Sequence, residues 1–318
     1  MPTSPFAAYP TATTPRRVRH IFSVDVEEYF QVNAFERSVC RDRWTDYPSR
    51  VEESTDALLS LLAEHEATAT FFCLGWVAER HKRLIRRIAE AGHEVASHGW
   101  WHRRVTELSR AEFEWEVRSS KQLLEDITGC EVVGYRAPSF SIVRGLEWAL
   151  DILVEQGYRY DSSLFPIRRS GYGYAHGLAI PHTWVQAAGS LVELPPATLN
   201  TCGLRVPAAG GGYLRQLPLE LIRAAVRQHA SNGFPAMLYI HPWELDPGQP
   251  RLPVGAVTRL RHYRGIGRTV DRLRKLLGEF QFTAAVQYMK EMRPTTPMYR
   301  AAESPELPAR DPRVIATP

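Results

Sequence analysis

Apolar and polar positions along the chain alternate between two rhythms. HIFSVDV at 20–26 is a β-branched apolar run suited to a buried strand. From Arg50 to His65 the period becomes helical, carried by Leu58, Leu59, Leu61 and Leu62. ATATFFCL predicts the next strand, and Trp76 to Glu90 an amphipathic helix with Gly92 just beyond its end as a C-cap. HEVASH is a short strand ending at a histidine. Ser109 to Thr128 predicts a helix whose N-cap Ser109 and Glu112, three residues on, form a capping box. CEVVGYR, the helical GLEWALDILVEQG and YRYDSS follow. SLVELP, a helix from Leu219 to Ala230, the strand AMLYIH, a helix around Arg268 to Leu277 and the run FQFTAAVQYM complete the pattern.

Strand and helix in alternation imply a parallel sheet covered by helices. Chemically capable residues fall at the carboxyl ends of these strands: Asp25, His98, Arg136, Asp161 and His241. In a (β/α) barrel active sites form there. The expected fold is therefore α/β, a distorted and incomplete (β/α) barrel. An open doubly wound sheet is the competing architecture, since it also gathers ligands at strand ends. Residues 1–17 are Pro/Thr-rich, and 293–318 are Pro-rich, polar and aperiodic. Both are expected to be disordered tails, because such compositions bury too little apolar surface to offset ordering entropy.

Composition narrows the class. The 318 residues are 44% apolar and 23% charged, ordinary for a globular protein. A net charge of +4 gives no argument for nucleic acid as a partner. Cys40, Cys73, Cys130 and Cys202 are far apart and form no C-x-x-C pair, and Cys73 sits in an apolar run as a core thiol. No signal-peptide pattern and no membrane-spanning apolar stretch is present, so a cytoplasmic location is expected.

Three constellations carry chemistry. In SVDVEEYF, residues 23–30, Asp25 and Glu27 point to one side of an extended strand. A cation against one relieves their repulsion and leaves the other free as a base. In SHGWWH, residues 97–102, His98 and His102 are four apart, and on a helical turn they share a face that can grip one metal. Two imidazoles and one carboxylate leave a coordination position for water, which suits catalytic zinc; iron(II) takes the same donor set. In LYIHPWE, residues 238–244, a strand delivers His241 to its end, where it can act as a general acid. Arg136 can orient a carboxylate base, and Asp161 can hold a histidine. Trp100, Trp101, Tyr135, Phe140, Tyr213 and Trp243 neighbour these motifs, either as core packing or as open ring faces for a ligand. GGGY at 210–213 lacks the Lys-Ser/Thr of a phosphate loop.

Taken in order, DVE at 25–27, HGWWH at 98–102, RAP at 136–138, Asp161 and LYIH at 238–241 resemble the polysaccharide deacetylase family, the NodB-homology carbohydrate esterases. DVEEYFQV, SHGWWH, GYRAPSFSI and YIHPWELDP are similar to the branch associated with exosortase-carrying exopolysaccharide loci. The resemblance implies a metal-dependent hydrolase that removes N-acetyl groups from a sugar polymer or oligomer, with a divalent ion, zinc, as cofactor. It implies Asp25 as catalytic base, Glu27, His98 and His102 as metal ligands, and His241 as general acid. Arg136 and Asp161 would orient base and acid, and Trp101, Tyr135, Phe140 and Trp243 would meet the sugar. Many members carry Asp where Glu27 stands, which leaves the order of Asp25 and Glu27 as ligands open and makes Glu28 a third candidate. The implied domain spans 18–245, with 246–292 as a C-terminal extension packed on the barrel.

Other readings differ in pocket or in class. A cyclic-amide hydrolase would use the same metal site, and a non-catalytic carbohydrate-binding component would not need both an acid and a base. The basic stretch 259–275 is expected to form a solvated helical face, or to contact a membrane surface or an anionic lipid carrier.

Overall fold

A computed structural model describes residues 18–169, 171–175, 177–186, 188–292 and 297–300. Its first half follows the predicted alternation: β1 (His20–Val26), α1 (Val51–Glu64), β2 (Thr70–Cys73), α2 (Gly75–Arg80), α3 (Lys82–Glu90), β3 (Glu94–Ser97), α4 (Arg110–Thr128), β4 (Gly134–Tyr135), α5 (Trp148–Glu155) and β5 (Tyr160–Asp161). The second half adds β6 (His182–Gln186), β7 (Gly189–Glu193), β8 (Thr198–Thr201), β9 (Leu204–Pro207), α6 (Gly212–Gln216), α7 (Leu219–Ser231) and β10 (Met237–Ile240). It closes with α8 (Ala256–Tyr263), α9 (Thr269–Glu279), β11 (Phe282–Thr283), α10 (Ala285–Glu291) and β12 (Met298–Arg300).

The main sheet runs β10-β1-β2-β3-β4-β5-β7-β6-β12, with β11 pairing the start of β1. All pairs are parallel except β6–β7. Its two ends do not meet, so the sheet is a curled, incomplete barrel, as the pattern predicted. Every residue of β1 is buried, the polar His20, Ser23 and Asp25 included, so its sequence does not alternate between apolar and solvent-facing positions. Strand alternation sends Phe22, Val24 and Val26 into the main core and Ile21 into a second one with Phe72, Ala96, Tyr160 and Met237.

The local chemistry follows the sequence at several ends. Ser109 caps α4: its Oγ accepts from Glu112 N–H, while Glu112 accepts from Ser109 N–H at 2.9 Å. Gly210 has no freedom to be anything larger. A Cβ there would lie 1.7 Å from the carbonyl oxygen of Tyr239, because this segment covers the outer edge of β10.

Several expectations change. The helix over 76–90 is two helices, broken at His81 (φ −119°, ψ 48°), whose ring is held by Glu52 at 2.8 Å. SHGWWH forms no helical turn. In CEVVGYR only Gly134–Tyr135 joins the ladder. FQFTAAVQYM divides into β11 and α10. Three residues of the segment expected as a tail, Met298–Arg300, pair with β6 as a parallel edge strand; residues 1–17, 293–296 and 301–318 lie outside the described residues. All four cysteines are free and only Cys73 is buried. Among the described residues, no helix is long and apolar enough to cross a membrane.

Candidate metal centre and active site

Adjacent parallel strands end at one rim of the sheet, and their next residues meet there. Asp25 and Glu27 lie at the end of β1. His98 follows β3, Arg136 follows β4 and His241 follows β10. Backbone geometry supplies what helical spacing does not. Gly99 (φ 74°) and His102 (φ 52°) both take left-handed conformations, which fold the loop so that the two imidazoles lie 5.4 Å apart. Glu116 of α4 clamps this loop, accepting from Trp100 N–H at 2.9 Å, Trp101 N–H at 3.3 Å and Arg103 Nε at 2.7 Å.

One donor atom each from Glu27, His98 and His102 lies within 4.8 Å of the others, and all three residues are buried. The remaining atoms of the triad show how it is held. His98 Nδ1 bonds the Arg136 carbonyl at 2.8 Å, leaving Nε2 for the site. Glu27 Oε1 accepts from Trp243 Nε1 at 3.0 Å. Glu27 Oε2 is 2.8 Å from His102 Nε2 but has no hydrogen-bond partner. Two close atoms that face one another without hydrogen-bond geometry suit ligands directed at a shared cation. Burial pushes the His98 imidazole down to about 4, against the pull of Asp25, so it is neutral and able to donate a lone pair. Burial would raise Glu27, but His102, His241 and His98 outweigh it and hold the carboxyl at about 2. The donor set therefore fits a divalent ion.

Two further groups border the triad. Asp25 Oδ1 accepts from Arg136 at 2.6 Å, both buried. The Arg136 guanidinium also donates to Ser162 Oγ at 2.9 Å and lies 4.2 Å from the Phe72 ring centre. His241 Nε2 stands 3.9 Å from Asp25 and 3.7 Å from Glu27. Burial disfavours its charged form, yet Glu27, Glu244 and Asp25 push its pKa up to about 9. A cation on Glu27 would offset part of that field.

The structure corrects several expected roles. Asp161 does not hold His241. Its carboxylate accepts from Ser163 N–H at 3.1 Å and from Ser163 Oγ, and faces Glu193 on β7 through direct cross-strand register. The group on His241 Nδ1 is Glu244, at 2.7 Å, whose other oxygen pairs with buried Arg215. Glu28 turns away from the site to accept from Ser49 Oγ and Arg50 N–H at the start of α1, so it is no third ligand. Of the four aromatics expected to meet sugar, Trp101 is only half-buried. Tyr135 packs edge-on between Phe113 and Tyr158, and Phe140 against Phe165 and Tyr239. Trp243 is sandwiched between His241 and His262. Burial leaves those three no open face for a pyranose.

Glu116, Glu244 and Arg215 were missed. Two left a signal: Glu116 sits on the apolar stripe of α4 with Phe113, Val117, Ser120 and Leu124, and Glu244 follows His241 at three residues. Arg215 left none.

Residues 43–160 match the family model described as polysaccharide deacetylase, and residues 162–290 match a domain of unknown function, DUF3473. A Helicobacter pylori peptidoglycan deacetylase is 32% identical over 109 residues, 34% of this chain and 36% of its own. A Rhizobium leguminosarum chitooligosaccharide deacetylase is 33% identical over 99 residues, 31% of this chain and 43% of its own. The chain thus spans less than half the length of either relative. A Mycobacterium smegmatis structure described as a polysaccharide deacetylase shares the fold, at TM-score 0.54 and 22% identity over 86% of this chain and 96% of that one. Over residues 43–160, the chain thus matches the polysaccharide deacetylase family model, and the relatives it resembles there are named as deacetylases.

Proposed function

We propose that this protein is a metal-dependent N-deacetylase acting on N-acetylhexosamine units of a polysaccharide or oligosaccharide. The observation that carries it is the bracketing of the Glu27, His98 and His102 triad by a carboxylate fixed to arginine on one side and a histidine fixed to a carboxylate on the other. A binding module needs neither. Relatives named for peptidoglycan and chitooligosaccharide deacetylation support the substrate class.

Glu27, His98 and His102 would hold the ion, with zinc the metal best suited to two neutral imidazoles and one carboxylate. When bound, the ion supplies Lewis-acid polarisation of the acetamido carbonyl and a lowered pKa for water. Asp25, oriented by Arg136, takes the proton of the attacking water. Phe140 N–H is engaged by the Ala137 carbonyl, so Ser139 N–H is the backbone donor assigned to the developing oxyanion. His241 Nε2 delivers a proton to the departing amine while Glu244 fixes Nδ1. Trp101 offers the sugar a ring face. The setting proposed is exopolysaccharide biosynthesis in the cytoplasm, supported by the resemblance of DVEEYFQV and YIHPWELDP to that branch.

Acetate release from N-acetylglucosamine oligomers tests the assignment. Asp25→Asn should retain the metal and lose ~10²–10⁴ in rate, the contribution of one general base. A fully active Asp25→Asn protein would remove Asp25 from the mechanism.

A further inference from the structure

We propose that the outer face of α8 docks onto an anionic lipid surface. Val257 and Leu260 are 65% and 59% exposed, and three residues apart on a helix they form one contiguous apolar face. The inner face is fixed. His262 is buried, stacks on Trp243 with ring centres 4.3 Å apart and bonds Gln249 at 2.8 Å, and Tyr263 Oη accepts from Leu252 N–H. The helix cannot roll its apolar face inward without breaking these contacts.

The rim of that face is cationic. Arg251, Arg259, Arg261, Arg264 and Arg268 are exposed, and no Asp or Glu occurs from residue 247 to 270. Of the flanking carboxylates, Asp246 is engaged by Arg50 and Glu279 by Arg223 and Arg227, while Asp271 stands exposed in the first turn of α9. The patch is also narrower than the basic sequence around it. Arg272 donates inward to the carbonyls of Leu214 and Arg215, and Arg274 faces Glu64. Exposed aliphatic side chains framed by arginines are the features with which interfacial helices enter the headgroup layer of an anionic membrane. An acidic polymer in solution would engage the arginines and leave Val257 and Leu260 uncovered. A second copy would set five arginines against five.

Co-sedimentation of the full chain tests this with vesicles of phosphatidylcholine alone and of phosphatidylcholine mixed with phosphatidylglycerol. Binding is expected only to the mixed vesicles, weakening as salt is raised. Each of Arg259→Gln and Arg261→Gln should weaken it roughly fivefold. Val257→Ser/Leu260→Ser should weaken it about tenfold or more, with melting temperature and acetate release from soluble oligomers unchanged. No binding to the mixed vesicles, or equal binding to both kinds, would overturn the proposal. So would loss in the arginine variants with none in Val257→Ser/Leu260→Ser, which marks a polyanion site, or self-association abolished by that double variant. Vesicle binding is read without turnover, so its failure leaves the deacetylase reading standing.

Discussion

Glu244 is the residue on which the candidate acid depends. Its carboxylate accepts from His241 at both N–H and Nδ1 and is itself pinned by Arg215. A proton on Nδ1 fixes the tautomer and turns Nε2 toward Asp25 and Glu27. Glu244→Gln should therefore lower kcat about 10²-fold or more, the low end of what a positioned acid contributes, while KM changes little. Glu244→Asp should recover part of the rate. A rise in KM alone would mean that Glu244 shapes substrate binding instead. The role was open to reading from HPWE, since three residues bring a side chain back to its own strand end. Arg215 was not readable, because it arrives from a short helix that no hydrophobic period marks.

At the scale of elements, β5 and β7 are joined by a strained choice. Asp161 and Glu193 face each other in register, both fully buried. Burial raises both carboxyl pKa values, and for Glu193 the charge of Asp161 adds to it. Glu193 Oε1 accepts from Leu164 N–H, while Oε2 meets no donor, so a proton shared with Asp161 satisfies the pair. The folded chain then retains a proton that the unfolded chain releases above about pH 4–5. Stability is therefore present at low pH and lost as pH rises through the folded pKa values. Glu193→Gln keeps the Leu164 bond and gives Asp161 an N–H donor. Between pH 5 and 8 the variant should gain at least about 1 kcal/mol on the wild type, the equivalent of one pKa unit. Urea unfolding at each pH measures this, and a constant difference would refute the shared proton. Sequence periodicity put a strand at YRYDSS, of which Tyr160–Asp161 joins the sheet, but gave no hint of this pairing, because register between distant strands is set by tertiary packing.

Across the whole molecule, the buried strands β2 and β10 were legible because short, largely apolar runs leave few alternatives, and β1 because its apolar residues are mostly β-branched. The capping box of α4 was legible because its two bonds are local. The hairpin of β8 and β9 and the edge strand β12 were not, since they have exposed or short apolar faces and draw their order from neighbours. Asp25, His98 and His241 were found through strand ends and Glu27 and His102 through their spacing from them, yet the helical turn expected for His98 and His102 is a loop held by Glu116. Their convergence on one ion is the claim from which the chemistry follows. Metal analysis after dialysis against limiting Zn²⁺ tests it most directly. One equivalent should bind to the wild type, and binding should be lost in His98→Ala and in His102→Ala. A wild type that takes up no metal, or variants that retain a full equivalent, would contradict it.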